Sequence, residues 1–360
     1  MICPRPWLRF DIMKKAFKAA GIILGAIILI PVLFVAYLRI TMYSPEAEEK
    51  LEVHPGSATV SEGDELSILT FNLGYAGYNK SEDFFMDGGK GVLPESSDAV
   101  MENLSGIASA INEQDCDIVM AQEVDVDSHR SYNINEVAYL SSSIGMQPVF
   151  ACNYKVAFVP YPIPPLGKTY SGLATYTRLN VREAVRYALP EAAPWYMSPG
   201  YLKRCLLVER IPVEDSDKEL VLINHHLEAY TDEEKRDGQF KVLNNLIEEE
   251  YARGNYVIVG GDFNQEFEMN NNPPILSETG WLPGEIKASD IPEGFYAAVA
   301  DNAPSCRSLE APFESNETSQ VYIIDGFILS DNVEVKSVEV CDYGFASSDH
   351  NPVRLEVRLR

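Results

Sequence analysis

The sequence predicts an α/β protein of two packed β-sheets with helices outside, carried behind an N-terminal membrane helix. Three observations predict it. Strand-like apolar runs outnumber helical ones, and several follow each other directly, which a doubly wound parallel sheet would not do. Val353, Leu355, Val357 and Leu359 alternate with Arg354, Glu356, Arg358 and Arg360, the period-two mark of a half-exposed strand. Residues 19–38 form a run of twenty without a charge, about the length that crosses a bilayer as a helix.

The run from Ala19 to Leu38 tolerates Pro31, since proline is commoner in membrane helices than in soluble ones. Lys14, Lys15 and Lys18 precede it, and Glu46, Glu48 and Glu49 follow. The positive-inside rule then makes residues 1–18 a cytoplasmic basic N-terminus, 19–38 a single-pass anchor, and the remainder extracytoplasmic. Secretion after signal cleavage is the alternative, although the run is long for a signal peptide and no clear small-x-small site follows it. Residues 39–64, with Ser44-Pro45 and His54-Pro55-Gly56-Ser57, read as a linker, and residues 65–360 as one large domain. The formal net charge is -25; of 29 Lys/Arg and 54 Asp/Glu, six bases and one acid fall in residues 1–45. So acidic a body has no broad footprint for nucleic acid, yet a nuclease relying on a metal and a local basic patch stays open.

In chain order, Leu66–Phe71 predicts a strand ending in Asn72, and Asp98–Glu113 a helix by the spacing of Val100, Leu104, Ile107 and Ile111. Asp117–Ala121 predicts a strand ending in Gln122-Glu123, and Tyr132–Ile144 a helix. Residues 149–176, aromatic and holding Pro160, Pro162, Pro164 and Pro165, read as a long ordered surface loop. Leu206–Val208 and Leu220–Ile223 predict strands, the second ending in Asn224-His225-His226. Thr231–Arg253 predicts a helix with Thr231 and Glu234 as a capping box. Tyr256–Val259 predicts a buried strand that stops at Gly260-Gly261-Asp262-Phe263-Asn264. Val321–Leu329 and Val333–Val340 predict two more.

Six strand ends stop at an acid, amide or imidazole: Asn72, Glu123, His226, Asp262 with Asn264, Asp325, and Asp349 with His350. Singly, each has a plain structural reading as a turn, cap or buried polar residue. Their recurrence argues for one site. Clustered carboxylates repel unless a cation or protonated histidines lie among them. Carboxylate and amide oxygens suit a hard cation, Mg²⁺ (or Mn²⁺), better than zinc. A hard metal, a carboxylate base and imidazolium groups together suit phosphoester hydrolysis. Asn224 and His226 share one face of an extended chain while His225 points with Ile223 and Leu227, which selects His226 for the site.

Thr70-Phe71-Asn72, Gln122-Glu123, Asn224-His225-His226-Leu227, Gly261-Asp262-Phe263-Asn264, Ile324-Asp325-Gly326-Phe327-Ile328 and Ser348-Asp349-His350-Asn351-Pro352-Val353 together resemble, in order, the motifs of the endonuclease/exonuclease/phosphatase superfamily. That superfamily includes deoxyribonucleases, abasic-site endonucleases, inositol polyphosphate phosphatases and neutral sphingomyelinases. Two departures stand out: His225 where the family has threonine, and Gly326 where many members carry an aromatic residue. The resemblance implies a four-layer α/β sandwich and divalent-metal hydrolysis. By it, Glu123 holds the metal with Asn72 and Asp349 nearby, and Asp262 orients or deprotonates the attacking water. Asn264 binds phosphate, His350 contacts the scissile phosphate in a form kept protonated by Asp325, and His226 supplies a second acid or phosphate contact.

Arg130 and Lys155 are weaker candidates for substrate phosphate, and each reads equally as a solvated or paired charge. The expected function is a membrane-anchored phosphodiesterase of nuclease type; the alternatives are a phospholipid or sphingomyelin phosphodiesterase, an inositol-phosphate phosphatase, or an inactive binding module. No motif residue that the last would lack is missing. The expected partners are the phosphoester substrate and, through the N-terminal helix, the membrane; no protein partner is implied. Cys116, Cys152 and Cys205 border apolar runs as core thiols, and Cys306 and Cys341 could pair in an oxidising compartment.

Overall fold

The computed structural model describes residues 6–276 and 281–360, so Cys3 and Arg5 lie outside the described residues. The chain starts with α1 (Pro6–Ile40), then β1 (Glu48–Lys50) and β2 (Glu65–Asn72). Helix α2 (Ser97–Gln114) leads into β3 (Ile118–Asp125), and α3 (Glu136–Ile144) into a long hairpin of β4 (Gln147–Val159) and β5 (Gly167–Thr177). Next come β6 (Glu183–Ala188), β7 (Cys205–Pro212), β8 (Glu219–His226), α4 (Glu233–Ala252) and β9 (Tyr256–Asp262). The short β10 (Gln265–Phe267) pairs with β11 (Gly284–Ile286); β12 (Phe295–Ala298) follows, then β13 (Cys306–Arg307), paired with β14 (Val321–Tyr322). Last are β15 (Asp325–Ser330), β16 (Val333–Val340) and β17 (Val353–Leu359).

Two sheets result, a seven-stranded one in the order β1-β6-β7-β8-β9-β15-β12 and a six-stranded one in the order β16-β17-β2-β3-β5-β4. Both mix parallel and antiparallel pairs, since β2–β3 and β8–β9 are parallel while their other neighbours run opposite. Inner faces of the two sheets meet through Ile68, Met120, Leu207, Leu222, Ile258 and Leu355. Helices α2 and α3 cover the six-stranded sheet with Leu104, Ile107 and Leu140. Helix α4 covers the seven-stranded sheet with Phe240, Leu243 and Ile247. Each such side chain, fully buried, is worth roughly 1.5–3 kcal/mol relative to exposure. The expected four layers are therefore present: helices, sheet, sheet, helix.

Several local expectations differ. Residues 149–176 are not a loop but the β4–β5 hairpin, whose prolines are confined to the turn after Val159 and whose apolar residues Val149, Ala151, Leu173 and Tyr176 face the core. The N-cap of α4 is Asp232, whose carboxylate accepts from the Lys235 N–H at 3.1 Å, rather than Thr231. Residues 132–135 precede α3 as a turn, because Tyr132 and Asn133 have positive φ. The segment 39–64, read as a linker, is only partly free: β1 pairs with β6, and Val60 is buried in the core between the sheets and bridges to Val213. Cys306 and Cys341 are both free thiols.

Candidate active site

The strand register brings the polar strand ends together. Parallel pairing sets Asn72 beside Gln122 and His226 beside Asp262, and antiparallel pairing sets Asp262 beside Asp325. His350, just before β17, bridges to Cys306 on β13. Beneath these ends Gln122 Nε2 donates to Asn224 Oδ1 at 2.8 Å, and Asn224 Nδ2 donates back to the Ala121 carbonyl at 3.1 Å. This polar bridge joins the two sheets directly under the site.

Asp262 is at the centre. Its Oδ2 accepts from Asn72 Nδ2 at 2.9 Å, and its Oδ1 from the Asn264 N–H at 2.8 Å. His226 Nε2 and His350 Nε2 lie 3.4 and 3.8 Å from Oδ2. Burial, with the Asp325 carboxylate beside it, pushes the Asp262 carboxyl up to about 7. Asn264 adopts positive φ and gives Nδ2 to the Leu227 carbonyl at 2.9 Å, which leaves one amide N–H for a ligand. Gly261 must be glycine here: a Cβ would lie 2.1 Å from the His225 carbonyl oxygen.

His350 Nδ1 and Asp325 Oδ2 are 2.8 Å apart, and the same oxygen accepts from Ser305 Oγ at 2.8 Å. Burial opposes charge on the ring, but the Asp325 carboxylate outweighs it and lifts His350 well above its ordinary value. Burial, then Arg204 and His350, hold His226 well below its ordinary value, so this imidazole is neutral and its approach to Asp262 is not an ion pair. Arg204 reaches the His226 carbonyl at 3.1 Å and pairs with Glu228. His225 points away, with its ring edge-on to Phe263 at 4.2 Å, and burial pushes it down to about 3.

Glu123 is aimed by a bulge. The β3–β5 register shifts between Ala121 and Val124, and Glu123 takes φ of 53°, turning its carboxylate out of the ladder. Its approach to the neutral His226, at Nδ1, is 3.9 Å, too long for a hydrogen bond. Burial raises its carboxyl, Arg130 opposes this, and Asp349 adds to it. The Asp349 carboxylate abuts Gly74, where a Cβ would lie 2.5 Å from Oδ1, and Gly74 also has φ of +50°. Ser348 Oγ ties this segment to the Asn72 carbonyl at 2.8 Å.

Two donor sets offer themselves to a divalent ion. Asp262, Asp325 and His350 bring ligand atoms within 4.8 Å of one another. His350, held protonated by Asp325, has no lone pair to give, so that set is better suited to proton handling. Glu123 and Asp349 present hard carboxylate oxygens near enough that Asp349 raises the Glu123 carboxyl, a pairing that a divalent metal would relieve. Asn72 Oδ1 accepts from the Gly74 N–H at 3.0 Å and keeps one lone pair, while its nitrogen is committed to Asp262.

Arg130 is engaged by the protein itself. Its guanidinium forks onto Asp125 at 3.1 and 2.9 Å and stacks over Tyr75 at 3.7 Å. Lys155 is exposed and lies over the Tyr170 ring at 4.6 Å. Sequence reasoning missed Ser305 and Arg204, which come from segments without periodicity and carried no signal.

Fold and site define a class: a phosphoester hydrolase that works with a divalent metal. The chain belongs to the endonuclease/exonuclease/phosphatase family, whose model matches residues 69–350. Among solved structures, an endonuclease/exonuclease/phosphatase from Beutenbergia cavernae superposes with a TM-score of 0.55 at 17% identity, over 82% of this chain and 72% of that one. One from Bacteroides vulgatus gives 0.53 at 17% identity, over 82% and 100%. A humanized D. rerio TDP2 gives 0.50 at 14% identity, over 82% and 99%. At these identities the likeness is one of fold. No curated protein matches the chain.

Proposed function

We propose that the domain is a membrane-anchored phosphodiesterase in which Glu123 and Asp349 hold Mg²⁺ or Mn²⁺. The observation that carries this reading is the Asp262 carboxylate, buried, raised to about 7, and shared between Asn72 and the two histidines. The metal, when bound, neutralises charge on the phosphoryl oxygens. Asn72 fixes the Asp262 carboxylate by donating to Oδ2, and the Asn264 N–H fixes Oδ1. Asp262 takes the proton of the attacking water; a base poised near neutrality suits that task. His350, as an imidazolium backed by Asp325, donates to a non-bridging phosphate oxygen, and the spare Asn264 amide N–H donates to another. His226, neutral, offers an N–H for a third contact or for the leaving oxygen.

The anchor, residues 19–38, lies within the helix Met13–Ile40, which is long and apolar enough to cross a membrane and whose most apolar stretch has no buried residue. By the positive-inside rule, Lys14, Lys15 and Lys18 support an orientation with its N-terminal end in the cytoplasm and the domain on the other side.

A lipid or small phosphodiester is favoured over a polynucleotide by one observation. Arg130, the basic residue nearest Glu123 on the chain, is neutralised by Asp125 rather than free to line a groove. Duplex DNA, single strands, sphingomyelin and inositol phosphates, each assayed with Mg²⁺ and with a chelator, test the reading. Hydrolysis that survives both chelation and Asp262→Ala overturns the mechanism.

A further inference from the structure

The end of α1 is fastened to the domain with little slack. Helix α1 ends at Ile40, Thr41 N–H still donates to the Tyr37 carbonyl at 3.0 Å, and the Ala188 N–H already binds the Ala47 carbonyl at 2.8 Å. Only residues 42–46 lie between these fastenings, and Tyr43 bonds Glu49 while Met42 touches Ser198. The domain therefore keeps one face toward whatever surrounds the helix.

That face is made of two segments without a charged residue, 158–166 and 192–202, in a chain of net charge -25. Their side chains are exposed in a way that water does not reward: Ile163 is 92% exposed, Trp195 77% and Tyr161 68%. Both segments touch the helix. Phe158 meets Phe34 edge-on at 6.2 Å, and Arg39 donates to the Trp195 carbonyl at 2.6 Å with its guanidinium 5.4 Å over the Trp195 ring. Phe34 lies four residues inside the end of the uncharged run at Leu38, about 6 Å along the axis at 1.5 Å per residue. A side chain level with Phe34 is thus below the apolar boundary. Trp195 is level with Arg39, the first charge after the run, where tryptophans gather at bilayer interfaces. Pro160, Pro162, Pro164 and Pro165 lack N–H groups, so the turn carries few backbone donors to strip of water on entering an apolar layer.

We propose that the turn 158–166 and the segment 192–198 form a bilayer seat: the domain lies against the leaflet that α1 enters, with the Tyr161–Ile163 tip immersed and Trp195 at the headgroup level. The proposal rests on the reading of α1 as a membrane span. The seat adjoins the mouth of the site. Tyr161 meets Phe85 edge-on at 5.7 Å, and two residues on, Asp87 accepts from the hydroxyl of Tyr230, on the loop that follows His226, at 2.6 Å. The occupant is an uncharged or zwitterionic lipid surface, since an acidic domain with an uncharged contact face gains nothing from anionic headgroups.

The full chain, with Trp7→Phe and Trp281→Phe leaving Trp195 as sole tryptophan, is reconstituted in phosphatidylcholine vesicles doped with acyl-brominated phosphatidylcholine. Trp195 emission is expected to be blue-shifted and to fall as bromolipid rises, most steeply with bromines near the headgroup. In a background that also carries Trp195→Phe, Ile163→Trp is expected to be quenched more deeply in the chain. Vesicle flotation separates the two readings. Protein that floats with both reporters accessible to aqueous acrylamide and untouched by bromolipid keeps the anchor and overturns the seat; protein that does not float overturns both.

Discussion

Glu209 offers the sharpest test of the physical reading. It lies in β7 on the same face as Leu207 and Ile211, fully buried between the sheets, and neither carboxylate oxygen has a hydrogen-bond partner. Burial pushes its carboxyl from 4.5 up to about 8. The sign follows from linkage. Between those two values the unfolded chain has released the proton and the folded chain still holds it, so stability falls as pH rises and levels off above about 8. At pH 7 the penalty, at 1.36 kcal/mol per unit, amounts to about 3 kcal/mol. Glu209→Gln has nearly the same volume and cannot ionise, so it is expected to be the more stable protein at pH 7 by an amount of that order, and nearly equal to the parent at pH 4.5. The assay is urea unfolding of both full-length proteins in detergent, followed by circular dichroism at several pH values. Every other titrating group is common to the pair, so the difference isolates Glu209. Curves that stay parallel from pH 5 to 8 refute the reasoning.

Three further outcomes are expected. Arg130→Ala strips the partner from a carboxylate, Asp125, whose side chain is wholly buried, and lowers stability by about 3–5 kcal/mol in the same unfolding assay while leaving KM unchanged; a raised KM at unchanged stability would restore a substrate role. Asp262→Asn lowers kcat on a chromogenic phosphodiester by roughly 10²–10⁴-fold, the range of a general base, with metal affinity by calorimetry retained. Glu123→Gln weakens metal binding in the same calorimetry, and chelation abolishes wild-type turnover until Mg²⁺ or Mn²⁺ is returned; turnover indifferent to both removes Glu123 from the metal site.

Much of the site was legible because its residues stand at the ends of unmistakable strands. Ile258-Val259 could only be buried, so the polar group after it had to emerge at an edge, and strict alternation chose His226 over His225. The fold class followed from strands adjoining without helices. The β4–β5 hairpin was hidden because four prolines in a short stretch suggested a loop, when they occupy only its turn. Residues 48–60 were hidden because a three-residue strand is too short to show periodicity. Glu123 could be named but not aimed, since its direction comes from a bulge that tertiary pairing imposes. Ser305 and Arg204 act through contacts to residues distant in the chain, which only folding creates.

The division of the site between sheets has a mechanical consequence. Asn72 and Glu123 ride on the six-stranded sheet, as does His350 at the entry to β17; His226, Asp262 and Asp325 ride on the other. Each close contact across the centre, Asn72 to Asp262, His350 to Asp325, Glu123 to His226, therefore spans the gap between sheets. The two sheets are the jaws of a calliper, and Gln122 with Asn224 is the screw that sets it. A substitution far from any substrate that thickens the layer between the jaws, such as Leu207→Phe, opens the setting and should slow turnover at a dose of strain the fold itself survives.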